Sequence, residues 1–288
     1  MERHTRSYLQ LIKPGITISN TLSGVAGFFL AASVVSFSLS TFIGAVFGIG
    51  FIIASACVAN NILDRDIDKN MKRTRKRDVA SGTISIPKAI AFSAVLGLVG
   101  FSLLLFLTNE LTFWLGVLAY VWYVVIYGIA KRTTPFSTII GGVAGALPPM
   151  AGYTALTNQV DAAAILLFLI LFFWQLPHFY AISMFRRSDY DSAGLPVWAV
   201  RYGMKSTKLQ IFISVVLYAL VASLLYVYDY VGVVYLVVSS VLALFWIYKG
   251  VSLYQKVDDV KWARTMFGVS LVVLLSILAL ISVGGYLA

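Results

Sequence analysis

Charge is what this chain has least of. Only 12% of its 288 residues are Asp, Glu, Lys or Arg, against roughly 25% in an ordinary soluble domain, while 60% are hydrophobic and the mean hydropathy is +0.88. Long uncharged runs of this kind need lipid as their solvent, which excludes soluble enzymes, nucleic-acid-binding modules and disordered scaffolds together. Cysteine is nearly absent as well. The single Cys57 cannot close an internal disulfide, and a lone thiol in an apolar run reads as a small packing residue. No linker, low-complexity tract or soluble-type repeat divides the chain, so one integral-membrane domain over residues 1–288 is expected.

What is there is a series of apolar stretches. At about 20 residues per crossing they predict an all-α polytopic bundle of nine spans: Gly15–Val34, Thr41–Leu63, Lys88–Leu107, Leu111–Ala130, Ser137–Leu156, Ala162–Met184, Lys208–Tyr228, Val231–Tyr248 and Met266–Leu287. The first follows Arg3, Arg6 and Lys13 and is long enough to be read as an uncleaved span rather than a signal peptide. With this segmentation all 22 Lys and Arg fall on one side. The opposite loops carry only Glu110, Asp161 and Asp229 among charged groups. Cations in short loops stay cytoplasmic, so the N-terminus is expected inside, the C-terminus outside, and the host membrane is read as a prokaryotic plasma membrane. No charged residue sits near the middle of a span, which weighs against a transporter. The pairs Gly44/Gly48 and Gly141/Gly145 have the spacing of close helix packing.

The end of the second span is the most informative stretch. It reads Asn60-Asn61-Ile62-Leu63-Asp64-Arg65-Asp66-Ile67-Asp68. Helical periodicity puts Asn60, Asn61, Asp64 and Asp68 on one face and Asp66 elsewhere. Carboxylates one turn apart repel, and Mg²⁺ is a natural compensator, because it takes one or two carboxylates and fills its octahedron with waters and phosphate oxygens. The plainer alternative is that these acids pair with neighbouring Arg and Lys on a solvated face. A second polar loop on the same side, Arg186-Arg187-Ser188-Asp189-Tyr190-Asp191, favours the first reading. Two such loops opening onto an apolar bundle suit a diphosphate with a hydrocarbon tail.

These residues resemble the first aspartate-rich motif of the UbiA superfamily of intramembrane prenyltransferases. Lys131-Arg132-Thr133-Thr134-Pro135, Gly141-Gly142-x-x-Gly145-Ala146-Leu147-Pro148-Pro149, Trp174-Gln175-x-Pro177-His178-Phe179 and Asp189-Tyr190-x-x-Ala193-Gly194-x-Pro196 are similar to its heme-farnesylating branch. The likeness runs from Lys13 to about Arg264. It implies a nine-helix UbiA-like bundle that transfers the farnesyl group of farnesyl diphosphate to the vinyl group of heme b, giving heme O and diphosphate. A heme A synthase or terminal oxidase would be the protein that receives the product. It further implies that Asn60, Asp64 and Asp68 hold Mg²⁺ and diphosphate, with Asp189 as the match to a reduced second acidic motif. Other members carry two aspartates four apart there, whereas Asp189 and Asp191 are two apart.

Ionising an allylic diphosphate leaves a carbocation and a highly charged leaving group. Arg65, Lys72, Arg73, Lys131 and Arg186 are the candidate diphosphate clamp, and each is equally readable as a topogenic charge. Tyr120, Tyr123 and Tyr127, with Trp122 beside them, form a stripe whose faces would shelter the cation or merely pack. His178 is one of two histidines. It lies eight residues before Arg186, about 12 Å deeper on a helix, and would contact substrate together with Trp174, Gln175, Asn61 and Tyr127, or else bond a carbonyl freed by Pro177. Pro148 and Pro149 are expected to interrupt the fifth span beside the pocket. An aromatic acceptor such as a hydroxybenzoate, or transport of an anionic metabolite, are the competing functions.

Overall fold

The apolar runs coil into helices because only a helix satisfies its own backbone polar groups in lipid. A computed structural model describes residues 2–287, with side chains from residue 7 onward; His4, Arg3 and Arg6 lie outside the described side chains. In chain order the helices are α1 (Glu2–Leu11), α2 (Pro14–Ala32), α3 (Leu39–Leu63), α4 (Arg65–Asn70), α5 (Ile86–Leu107) and α6 (Glu110–Val121). A π-helical turn (Trp122–Ile126) then leads into α7 (Tyr127–Thr133). There follow α8 (Ser137–Thr157), α9 (Ala162–Phe185), α10 (Arg187–Ser192), α11 (Trp198–Arg201), α12 (Gly203–Val227), α13 (Val233–Ser252) and α14 (Asp259–Gly284).

Among the described residues nine helical segments are long and apolar enough to span a bilayer, with α6, the π-turn and α7 forming one of them. Span ends agree with the sequence reading to within a few residues except at two starts. The seventh begins at Gly203 rather than Lys208, and the ninth at Asp259 rather than Met266. Both extensions are polar helix rather than apolar span, so a hydropathy boundary misses them. Asp258 caps α14 by accepting from the Lys261 backbone N–H at 2.8 Å, and this bond holds its carboxyl below the usual range. Lys208 and Asp259 then join α12 to α14 across 2.7 Å.

Small residues set the helix spacing. A Cβ on Gly27 would run into the Pro149 carbonyl, and one on Gly152 into the Gly24 carbonyl, so α2 and α8 touch backbone to backbone. Gly44 and Gly48 meet α5 at Leu107 and Leu104, and Ser55 bonds the Ser93 carbonyl at 2.7 Å along the same seam. Contrary to expectation, Pro148 and Pro149 do not interrupt their span; α8 is helical through both. Glycine on α2 lets the opposing backbone close around them.

Candidate active site at one mouth of the bundle

The α3 helix ends at Leu63, and a short bend at Asp64 leads into α4, yet the Asp68 N–H still bonds the Asp64 carbonyl at 2.8 Å. The helical register therefore carries across the bend. Asn60, Asn61, Asp64 and Asp68 share one buried face, 3%, 3%, 8% and 3% exposed, while the Asp66 side chain is 88% exposed. Buried carboxylates need partners, and here cations supply them. Lys131 Nζ, from α7, lies 2.5 and 2.6 Å from the two Asp64 oxygens, with Arg132 at 3.6 Å. Arg77, in the loop after α4, grips Asp68 through both oxygens at 2.8 and 3.0 Å.

Arg77 and Lys13 escaped the sequence reading, and Arg132 entered it only as part of a motif. Arg77 follows Asp68 by nine residues through irregular turns, so no periodicity points to it. Lys13 stands in the break between α1 and α2 at φ 50°, the left-handed region that lysine rarely adopts. Its Nζ donates to Asn60 Oδ1 at 2.9 Å. Burial pushes the Lys13 amine down to about 8. Counting Lys13, Arg77, Lys131 and Arg132 against Asp64 and Asp68, the cluster carries more positive than negative groups, which suits an anion.

The amides divide their work. Lys13 only donates, so Asn60 must face it with oxygen, and the Asn60 Nδ2 is buried without a partner among the described residues. Asn61 Nδ2 donates to the Leu11 carbonyl at 3.0 Å, and its Oδ1 is buried and unpartnered. The free amide oxygen therefore belongs to Asn61, and the free amide N–H to Asn60. Two buried carboxylates one turn apart with an orphaned amide oxygen beside them are a hard-oxygen donor set, and they fit Mg²⁺.

The other expected residues fall less closely. Lys72, Arg73 and Arg186 are exposed and Arg65 is half-buried; Lys72, Arg73 and Arg65 bond neither Asp64 nor Asp68. Asp189 faces Arg186 at 4.0 Å, and no group of three or more His, Cys, Asp or Glu close enough to share a metal occurs among the described residues. Asp189 thus does not join the Asp64/Asp68 pair as a shared ligand set, and Asp191 is exposed. The two loops nonetheless meet through Tyr190, which packs with Ile67 against Met71, Leu195 and Val197. Burial pushes its phenol above the ordinary range.

The tyrosine stripe splits at the π-turn. Tyr123 and Tyr127 stack at 5.6 Å and 20°, with Lys131 5.4 Å from the Tyr127 ring centre, whereas Tyr120 turns to Phe101 on α5. The extra residue in a π-turn rotates what precedes it. Deeper, Gln175 donates to the Gly142 carbonyl at 2.6 Å and Trp174 to the Ser270 carbonyl at 2.9 Å. His178 bonds Ser270 Oγ at 2.7 Å rather than a carbonyl freed by Pro177. A small apolar cavity of about 30 Å³ lies between α3, α6 and α8, lined by Ile49, Ile53, Leu115, Leu147 and Pro148. On α3 it sits 11 to 15 residues before Asp64, roughly 16–22 Å into the bundle.

Comparison with known proteins agrees with this architecture. The family model described as the UbiA prenyltransferase family matches residues 21–280. The protoheme IX farnesyltransferase of Pectobacterium carotovorum subsp. carotovorum is 40% identical over 96% of this chain and 94% of its own length. The enzyme of the same name from Protochlamydia amoebophila is 40% identical over 95% and 96%. Among solved structures, one described as a digeranylgeranylglyceryl phosphate synthase superposes with a TM-score of 0.81 at 22% identity, covering 99% of both chains. A UbiA homolog from Archaeoglobus fulgidus bound to DMAPP and Mg²⁺ gives 0.69 at 16%, over 96% of this chain and 99% of that one. With its acid face, its cationic cap and this match along nearly its whole length, the chain belongs to the UbiA prenyltransferase family.

Proposed function

We propose that this prenyltransferase moves the farnesyl group of farnesyl diphosphate onto a vinyl group of heme b, releasing diphosphate and giving heme O for a terminal oxidase, with a heme A synthase or the oxidase itself as recipient. The observation that carries the reading is the buried Asp64/Asp68 face beneath an excess of cations, at the mouth of an apolar bundle. The shared name of relatives 40% identical over almost the whole chain supports heme as acceptor. The reading also has the site cytoplasmic, the N-terminus inside and the C-terminus outside a plasma membrane.

The chain's own residues have distinct tasks in it. Asp64, Asp68 and the Asn61 amide oxygen would hold Mg²⁺, and Asn60 would offer its free N–H to a diphosphate oxygen. The bound Mg²⁺ supplies Lewis-acid neutralisation of the diphosphate. As the C–O bond breaks its electron pair leaves with the diphosphate, and Lys13, Arg77, Lys131 and Arg132 stabilise that growing charge where water is scarce. Arg186 and Asp189 close the site from the α10 side, with Arg65, Lys72 and Arg73 as an outer cationic rim. Tyr123 and Tyr127 present stacked faces to the allylic cation without offering a nucleophile. The vinyl π electrons form the new C–C bond, and water adds its oxygen to the cation left beside the porphyrin and loses a proton to solvent, leaving a hydroxyl.

The test is pigment extraction from heme O-deficient membranes expressing the chain. A farnesylated heme by mass is expected. Its absence, with prenylation of a hydroxybenzoate-like ring instead, would overturn the choice of acceptor.

A further inference from the structure

The hydrogen bonds of His178 determine which of its nitrogens is free. Ser270 Oγ lies 2.7 Å from His178 Nδ1. A hydroxyl has one hydrogen, and that of Ser270 already goes to the Phe267 carbonyl at 2.6 Å. Ser270 Oγ must therefore accept from the imidazole, so Nδ1 carries the proton and Nε2 the lone pair. The ring lies between Trp174, stacked at 5.1 Å and 28°, and Phe267, at 4.8 Å and 34°. His178 is still only half-buried, and Nε2 has no hydrogen-bond partner among the described residues. Phe179 meets the ring edge-on at 5.2 Å, and with Nδ1 engaged the nitrogen without a protein partner is the one bearing the lone pair.

A neutral imidazole with its Nδ1–H fixed by a protein oxygen and Nε2 free is prepared to ligate a metal, heme iron included. We propose that His178 Nε2 is the axial ligand that docks the acceptor porphyrin along the seam between α9 and α14, an assignment that rests on the heme-acceptor reading above. The seam continues in the right order. Phe267 meets Phe185 at 5.6 Å, and the Arg186 guanidinium lies 5.7 Å from the Phe185 ring centre. Arg186 follows His178 by eight residues, about 12 Å along the helix. A flat macrocycle with carboxylates on one edge matches this sequence: iron at the imidazole, ring beside the aromatics, anionic edge at the guanidinium near the membrane surface. Ser270 is then a positioning residue, acting through the tautomer and orientation of His178.

The experiment is a titration of the purified full-length protein in lipid nanodiscs with heme b, without farnesyl diphosphate, read by the Soret band and resonance Raman spectrum. The wild type is expected to give an imidazole-ligated heme. His178→Ala should lose that signature and bind heme about tenfold or more weakly, with free imidazole restoring the spectrum, and His178→Gln should behave alike if the alanine variant does not fold. Iron-free protoporphyrin should bind wild type and His178→Ala equally, and Ser270→Ala should weaken heme binding while keeping the ligand signature. An unchanged spectrum and affinity in His178→Ala would overturn the assignment. Farnesyl transfer by the wild type, measured separately, distinguishes the two ideas. Transfer to heme alongside an indifferent His178 sinks only the ligand, whereas no transfer to heme sinks the acceptor reading itself.

Discussion

At Asp64 two cations share one carboxylate in a site almost closed to water, and that arrangement makes the residue's chemistry and its stability inseparable. Removing one partner of a buried ion pair leaves an uncompensated charge and costs about 3–5 kcal/mol. Lys131→Met should therefore lower the melting temperature in detergent, and Asp64→Asn/Lys131→Met should recover part of that loss; additive losses would show that the two groups are not coupled. Turnover will not recover in the double variant, because each group also faces the leaving diphosphate. Arg77→Met leaves Asp64 and Lys131 paired but strips the buried Asp68 of its partner, so a fall in melting temperature is expected with it as well. A fall in farnesyl transfer of about 10²- to 10³-fold is expected, and a kcat within a few-fold of wild type would remove Arg77 from the clamp. Asp68→Asn should abolish turnover, and chelation of divalent metal should do the same to the wild type until Mg²⁺ is restored. The face of Asn60, Asn61, Asp64 and Asp68 was legible from spacing because a helix repeats faithfully. Arg77 and Lys13 were not, since a loop and a left-handed residue bring them in and neither has a period.

Among the elements, α2 and α8 approach so closely that glycine is required on both. Gly152→Val would drive methyl groups into the Gly24 carbonyl, and overpacking of this kind costs about 1–3 kcal/mol or more. A clear drop in thermal stability is expected, whereas Gly268→Ala, where nothing lies within 4 Å of the added atom, should be neutral; equal melting curves for the two variants would refute the close contact. The π-turn at Trp122–Ile126 is a second feature of this scale. Aromatic spacing alone aligned Tyr120, Tyr123 and Tyr127, and the inserted residue separated Tyr120 from the pair. Regular periodicity cannot anticipate an irregular turn.

For the whole molecule the distribution of charge predicts the orientation. With nine candidate spans among the described residues and the cations expected on one side, a reporter that is active only outside the cytoplasm should work when fused at the C-terminus and fail when fused in the loop between α3 and α5. The opposite pattern would invert the proposed topology and place the diphosphate site outside. Composition and hydropathy by themselves determined the solvent, the number of crossings and the acidic face, because span length follows from bilayer thickness and facing from the pitch of the helix. The tertiary structure alone decided which cations meet which carboxylates, which asparagine keeps a free oxygen, and that Ser270, ninety-two residues from His178, fixes the imidazole. Such pairings depend on how distant helices pack, and packing leaves no local pattern in the chain.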